Sequence, residues 1–294
     1  MKVLVSLDGA PSSQNALRAV GERPWPAETE FTVISVVDSF VTADLPALVK
    51  GAENAAEDIV AKAAKTLEER GLKVKTAVPH GYPAPAILET ATSLGADLVM
   101  VGSHGVYAVP RFLLGSTALR VVRNAPCAVE IVRCNKHRFT GPAVRALKIL
   151  LATDGGACSL NAAKFVAQRP WPAGTEVRVM CVPEAVKPLL EHQIATAVAW
   201  EELLEMRRAQ ARDAVDVTSK VFAGSRLTVH TDVPAPLWGP KAAILEEAEN
   251  WPADMIVLGS HGRQGFERFW MGSVSEAVAL NAPCSVEVVR PTQK

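Results

Sequence analysis

Two stretches of this chain set glycines and a following small residue at the same spacing. The first is Gly102-Ser103-His104-Gly105, nine residues, then Gly115-Ser116-Thr117; the second is Gly259-Ser260-His261-Gly262, nine residues, then Gly272-Ser273-Val274. Glycines let a backbone approach a phosphate closely and present N–H groups with no side chain in the way. A Gly-Ser that opens a helix adds the unsatisfied N–H groups and positive dipole end of that helix, which attract an anion. The serine hydroxyl is expected to cap the helix and to donate to a phosphate oxygen. The same residues also suit a plain strand-to-helix loop with a serine cap, because a lone glycine motif is a weak signal. Retention of the spacing in both stretches strengthens the phosphate reading. The intervening VYAVPRFLL and RQGFERFWM share little beyond Arg111 and Arg268, four residues before the last glycine, and the Phe after each. These arginines could reach a phosphate or lie on the surface.

Asp8 and Asp154 each follow a short apolar run. Such a carboxylate can accept from a sugar hydroxyl, help hold a metal, or cap the next helix as Asp-Gly turns often do. His104 and His261 lie inside the glycine loops without a Cys or carboxylate cluster at ligand spacing, so backbone positioning or a phosphate-side contact suits them better than metal ligation. Trp25 and Trp171 stand between prolines and read as packing anchors. No residue presents itself as catalytic: there is no GxxxxGK[ST] loop, no kinase catalytic-loop set and no obvious water-activating base.

The elements that must hold these residues are legible from patterning. KVLVSL, FTVISVV, LKVKTAV, DLVMVG and CAVEIV read as strands, with helical stretches between them. AENAAEDIVAKAAKTLEER, within 44–70, is a strong helix that stops at Gly71. The order β-α-β-α-β-α-β-α-β implies a parallel sheet covered on both faces, with right-handed crossovers. Ligands of such sheets sit beyond the carboxyl ends of the strands where strand order reverses, which points to Asp8 and Gly102.

The whole pattern occurs twice. VLVSLDGAPSSQNALRAV matches ILLATDGGACSLNAAKFV with Asp8 on Asp154, an offset of 146, and Trp25 on Trp171 at the same offset. ADLVMVGSHG matches ADMIVLGSHG at an offset of 157, so the second copy has gained 11 residues, most of them expected in a longer helical segment near 185–223. Repeats this long are domains, not solenoid units. Two domains, 1–134 and 147–294, are expected, joined by a polar linker at 135–146 with a Gly-Pro pair.

Composition agrees with a two-domain globular chain: 294 residues, 49% hydrophobic and 21% charged. Lys plus Arg and Asp plus Glu both number 31, so the basic excess of a nucleic-acid binder is missing. No apolar run is long enough to span a membrane. The start, MKVLVSLDGA, is too short and too acidic for a signal peptide and reads as the first strand. Five scattered cysteines without a CxxC pair suggest reduced thiols and a cytoplasmic location.

The Asp after the first strand, the VGSHG or LGSHG ending the fourth, the nine-residue gap, the Gly-Ser-Thr/Val and the closing Asn-Ala-Pro-Cys plus strand resemble the universal stress protein family, in two tandem copies covering essentially the whole chain. The Gly-x2-Gly-x9-Gly-Ser/Thr pattern resembles that of its ATP-binding branch. The resemblance implies two tandem doubly wound open domains, each with a five-stranded parallel sheet of Rossmann-like type. It implies an ATP-binding, nucleotide-dependent stress-response regulator with one adenine-nucleotide site per domain; a slow Mg-dependent ATPase, if Asp8 or Asp154 holds Mg²⁺, and a nucleotide-independent scaffold stay as alternatives.

Carried over by position, the first site would use Asp8 near the ribose and the Val36 backbone near adenine. Gly102, His104, Gly105, Gly115, Ser116 and Thr117 would surround ribose and phosphates. The second would use Asp154, Val182, Gly259, His261, Gly262, Gly272, Ser273 and Val274. The resemblance also implies pairing through the last strands, 128–132 and 285–289, as an intrachain pseudo-dimer, and a homodimer of chains. Two departures stand out: Asp-Gly-Ala and Asp-Gly-Gly replace the family's frequent Asp-Gly-Ser. In addition, Pro183 replaces Val37 and is expected to remove an N–H near the adenine edge of the second site.

Overall fold

The computed structural model describes residues 1–42, 45–105, 114–133, 145–183, 197–235, 239–262 and 271–290, without the side chains of 197–200. Each half builds five long strands. In the first half they are β1 (Lys2–Ser6), β2 (Glu30–Ile34), β4 (Lys73–Ala77), β6 (Leu98–Gly102) and β7 (Ala128–Val132). Between them run helices α1 (Pro11–Glu22), α2 (Ser39–Thr42), α3 (Pro46–Glu68), α4 (Pro83–Leu94) and α5 (Ser116–Asn124). The second half repeats this with β8 (Lys148–Ala152), α6 (Ala157–Ala167), β9 (Glu176–Met180), α7 (Ala197–Ser219), β10 (Thr228–Asp232), α8 (Pro240–Asn250), β11 (Met255–Gly259), α9 (Ser273–Asn281) and β12 (Ser285–Val289). A two-stranded ladder that patterning missed, β3 (Val37–Asp38) with β5 (His80–Gly81), is too short to leave an alternation in the sequence.

The ten long strands form one sheet in the order β10-β9-β8-β11-β12-β7-β6-β1-β2-β4. Every neighbouring pair is parallel except β7 and β12, which meet antiparallel with Val286 opposite Ile131, Glu287 opposite Glu130 and Val288 opposite Val129. The pairing of last strands is therefore an intrachain one. In each half the chain runs outward from a central strand and then returns to its other side, so order reverses between β1 and β6 and between β8 and β11.

Strand side chains alternate between the two faces. Val3 and Val5 pack with Ala16, Val20, Val60 and Leu67 on one face, while Leu4 packs with Ile87, Ala91 and Val121 on the other. Of the longer helical segment expected near 185–223, the described part holds α7, at 23 residues as long as α3, and a 3₁₀ turn at Lys220–Phe222; residues 184–196 lie outside the described residues. The linker expected at 135–146 falls mostly on residues outside those described. No helix among the described residues is long and apolar enough to cross a membrane. The described cysteines Cys127, Cys158, Cys181 and Cys284 form no disulfide.

The Arg-Pro-Trp-Pro repeats close the first helix of each half. Trp25 and Trp171 donate Nε1–H to the carbonyls of Val20 and Val166, both at 2.8 Å, satisfying carbonyls that a helix end leaves open. Trp25 also packs edge-on to Phe31, ring centroids 5.3 Å apart. Trp25→Phe keeps most of the ring packing and removes the donor. It is expected to destabilise the protein by about 1 kcal/mol, read as a lowered urea midpoint; an unchanged midpoint would count against the capping role.

Candidate functional site

Both glycine loops leave the sheet where strand order reverses, beside the turn after β1 or β8. Those turns are built alike. The Asp8 Oδ1 accepts the Ala10 N–H at 2.9 Å, and the Asp154 Oδ1 accepts the Gly156 N–H at 2.9 Å. Each aspartate is thus a turn former at the mouth of the following helix. Ser159 Oγ adds a 2.6 Å bond to Asp154 Oδ1, and Ser13 Oγ accepts the Asp8 N–H at 3.3 Å. The second carboxylate oxygen faces the glycine loop instead. A methyl group on Gly105 would lie 3.1 Å from Asp8 Oδ2, and one on Gly262 would lie 3.2 Å from Asp154 Oδ2. Turn formation and a ligand-facing oxygen coexist in one side chain.

The four loop glycines divide into two kinds. A Cβ on Gly102 would sit 2.7 Å from Ser13 N and 2.8 Å from the Ser12 carbonyl carbon; on Gly259 it would sit 2.7 Å from the Cys158 carbonyl carbon. These glycines admit the backbone of α1 and α6 against the strand end. Gly105 and Gly262 border the carboxylates and the opening. Phosphate contact was expected of all four; close packing accounts for the first of each pair.

The far ends of the loops fold back onto their beginnings. Gly115 N–H donates to Ser103 O and Gly272 N–H to Ser260 O, each at 2.8 Å. Those glycines, not the serines, are the N-cap residues of α5 and α9, and no side chain caps either helix. The expectation of a serine cap is thus corrected. Gly115 and Gly272 take the extended backbone of a cap, with ψ 150° and 149°, so Ser116 and Ser273 fall at the first helical position. Both serines are exposed, and Thr117 and Val274 are half-buried. In the second half Ser275 Oγ ties α9 to the Gly259 carbonyl at 2.8 Å, where the first half has Ala118.

The histidines are held by their neighbours. Ser103 Oγ bonds His104 Nδ1 and Ser260 Oγ bonds His261 Nδ1, each at 2.9 Å, while Nε2 of both rings is buried with no partner among the described residues. Ser12 donates to the His104 carbonyl, and Cys158, at the equivalent position, meets the backbone of His261. Burial, and then the charge of Arg290, lower the His261 pKa, so this ring is neutral at pH 7. An anion at this loop would meet backbone N–H groups and a neutral imidazole.

Among the described residues no group of three or more His, Cys, Asp or Glu side chains converges to hold a metal ion. The expected Arg111 and Arg268 contacts lie outside the described residues. Val36 and Val182 are half-buried, just past the ends of β2 and β9. The concern over Pro183 is corrected. The Val37 N–H that Pro183 lacks is spent in the first half on the Pro79 carbonyl, at 2.9 Å, so the proline removes a link to the β3–β5 ladder and not a donor facing the site.

Sequence reasoning overlooked Ser12, Ser13, Ser103 and their counterparts. The signal was present: Ser13 recurs as Ser159 at the offset of the first strand, and Ser103 as Ser260 at that of the fourth.

A profile described as the Universal stress protein family matches residues 1–133 and 146–290. A universal stress protein of Mycolicibacterium smegmatis is 26% identical over 299 residues, covering 98% of this chain and 97% of that one. Universal stress protein MJ0531 of Methanocaldococcus jannaschii is 33% identical over 147 residues, 50% of this chain and 84% of its own length. The crystal structure of a universal stress protein from Archaeoglobus fulgidus superposes with a TM-score of 0.66 at 21% identity, covering 98% of both chains.

Proposed function

Because the chain belongs to the universal stress protein family, we propose that it is an ATP-binding regulator of the stress response in the cytoplasm, with one adenine-nucleotide site in each half. One observation carries this reading. In both halves a glycine loop closes on an aspartate oxygen at a distance that leaves no comfortable room for a Cβ, directly before the exposed start of a helix. That geometry suits a ribose hydroxyl on Asp8 or Asp154 and phosphates on the N–H groups that open α5 or α9. Gly105, His104, Gly115, Ser116 and Thr117 would surround the first nucleotide, with Val36 beside the base. Gly262, His261, Gly272, Ser273, Val274 and Val182 would do the same in the second half.

The buried Nε2 atoms of His104 and His261, which have no partner among the described residues, also support a ligand here, since a buried polar atom without a partner is costly. Among the described residues the converging side chains do not form a metal site by themselves. The reading is of nucleotide held and sensed, with no hydrolytic step assigned to any residue.

Calorimetry of purified protein with ATP tests it, together with mass spectrometry of small molecules released on denaturation. ATP is expected in both halves. Gly105→Val and Gly262→Val each push a side chain toward the aspartate and should each remove one site, lowering affinity there by about 100-fold. Absence of nucleotide on purification together with no ATP binding would overturn the proposal.

A further inference from the structure

The carboxyl ends of α5 and α9 lie against the opposite half of the chain. Arg290, which follows β12, donates through Nη2 to the Val122 carbonyl at 2.9 Å and the Arg123 carbonyl at 2.5 Å, in the last turn of α5. Arg133, which follows β7, donates through Nη2 to the Ala279 carbonyl at 2.7 Å and the Leu280 carbonyl at 3.0 Å, in the last turn of α9. Both arginines are buried, 8% and 9% exposed, so neither is a loose surface contact. Burial pulls the Arg133 pKa down to about 10, an energetic cost accepted in order to place a cation there.

These two helices are the ones whose amino ends close the glycine loops. We infer that Arg290 and Arg133 are positioning residues in trans: each sets the nucleotide affinity of the site in the opposite half by fixing its phosphate-facing helix. This rests on the nucleotide reading above.

Each helix has only nine residues, two and a half turns. A helix that short is held by what grips its ends more than by its own ladder. An arginine on its last carbonyls satisfies groups that a helix end leaves open and complements the negative end of the dipole. It also fixes the helix along its axis, and the axis sets where the first N–H groups point.

The backbone behind Arg290 is itself hydrogen-bonded. Its own carbonyl accepts Asn161 Nδ2–H from α6 at 2.8 Å, and the preceding Val289 carbonyl accepts the Ser260 N–H of the second glycine loop at 2.9 Å. The first half mirrors this: the Val132 carbonyl accepts the Ser103 N–H at 3.1 Å, and the Arg133 N–H donates to Ser285 Oγ at 3.2 Å. Arg123 of α5 also pairs with Glu276 of α9. Each loop is thus joined through packed, hydrogen-bonded groups to the helix of the other site.

Full-length protein tests this with one site closed at a time. In a Gly262→Val background only the first site reads out. There Arg290→Met should weaken ATP binding by about 5-fold or more, Arg290→Lys should recover most of the loss, and Arg133→Met should leave affinity within about 2-fold. A Gly105→Val background should give the reverse pattern. No loss, loss from both arginines alike, or no recovery with Lys would overturn the inference. Hydrogen exchange on nucleotide-free protein provides an independent reading. Arg290→Met should speed exchange of the α5 amides, first turn included, and leave α9 unchanged; unchanged α5 exchange would sink the idea even if ATP proves not to be the ligand. Failure of the wild-type chain to bind ATP, with the exchange pattern as expected, would instead retire the nucleotide reading and keep the trans contact.

Discussion

Arg169→Met is expected to destabilise the fold by about 3–5 kcal/mol, because it strands a buried carboxylate between the two halves. Glu287 is 0% exposed and receives Arg169 Nη2–H at 2.6 Å, while Arg169 stacks on Phe165 and Trp171 with its guanidinium carbon 4.5 and 4.7 Å from their ring centroids. Directly across the β7–β12 ladder lies Glu130, also 0% exposed, held by Arg23 at 2.5 and 2.7 Å. Two like charges therefore face each other at the centre of the junction, each made tolerable by an arginine of its own half. Removing one arginine leaves two buried carboxylates with the charge of the other arginine alone to offset them. The double variant Arg169→Met/Glu287→Met should recover most of the loss, since it removes the charge and its repulsion of Glu130 together.

The pH dependence has a definite sign. Burial raises the Glu287 pKa; Arg169 opposes this and Glu130 adds to it. A carboxyl raised in the folded state holds its proton longer there than in the unfolded chain. Its contribution to stability is full below the ordinary value of 4.5 and declines as pH rises through the folded value. Without Arg169 the raising deepens, so the deficit of the variant should be larger at pH 8 than near pH 5. Urea unfolding at both pH values reads this. A variant as stable as the wild type at pH 8, or a double variant no better than the single, would contradict the account.

The second large effect separates glycines that one motif places together. Gly102→Ala should cost about 3 kcal/mol, the upper end of overpacking, because its Cβ meets backbone atoms of Ser12 and Ser13 at 2.8 and 2.7 Å and α1 must move. Among the described residues Gly105→Ala meets a carboxylate oxygen at 3.1 Å, which can shift, so the cost to stability should stay below about 1 kcal/mol. Its cost should appear as weakened ATP binding. Thermal unfolding with calorimetry on both variants decides it. Equal stability of the two would remove the packing role assigned to Gly102, and unimpaired binding in Gly105→Ala would remove that glycine from the site.

Much of this protein was legible before its structure. Period-two and continuous apolar runs placed the strands, because a strand buried on both faces has no place for polar residues except its ends. Recurrence of Asp8 as Asp154 and of Gly102 as Gly259 located two loops, and the crossover rules brought them to one sheet edge in each half. Ser116 and Ser273 were misjudged as caps because sequence shows which residues are present and not which one turns from extended to helical backbone. The division of labour between Gly102 and Gly105 was likewise hidden, since a glycine's purpose depends on what stands where its Cβ would be.

By itself, then, the sequence determined the strand and helix order of each half, the duplication, and the placing of Asp8, Asp154 and the glycine loops at the carboxyl ends of the strands. All of these follow from local periodicity and from chain connectivity. The resemblance implied that the last strands pair within the chain; only the tertiary structure decided the register that sets Glu130 against Glu287 in one ten-stranded sheet. Only it showed Arg133 and Arg290 reaching across to the helices of the opposite glycine loops. Those are contacts between residues about 150 positions apart, set by register and side-chain reach, and no periodicity along the chain encodes which distant partner a buried charge will meet.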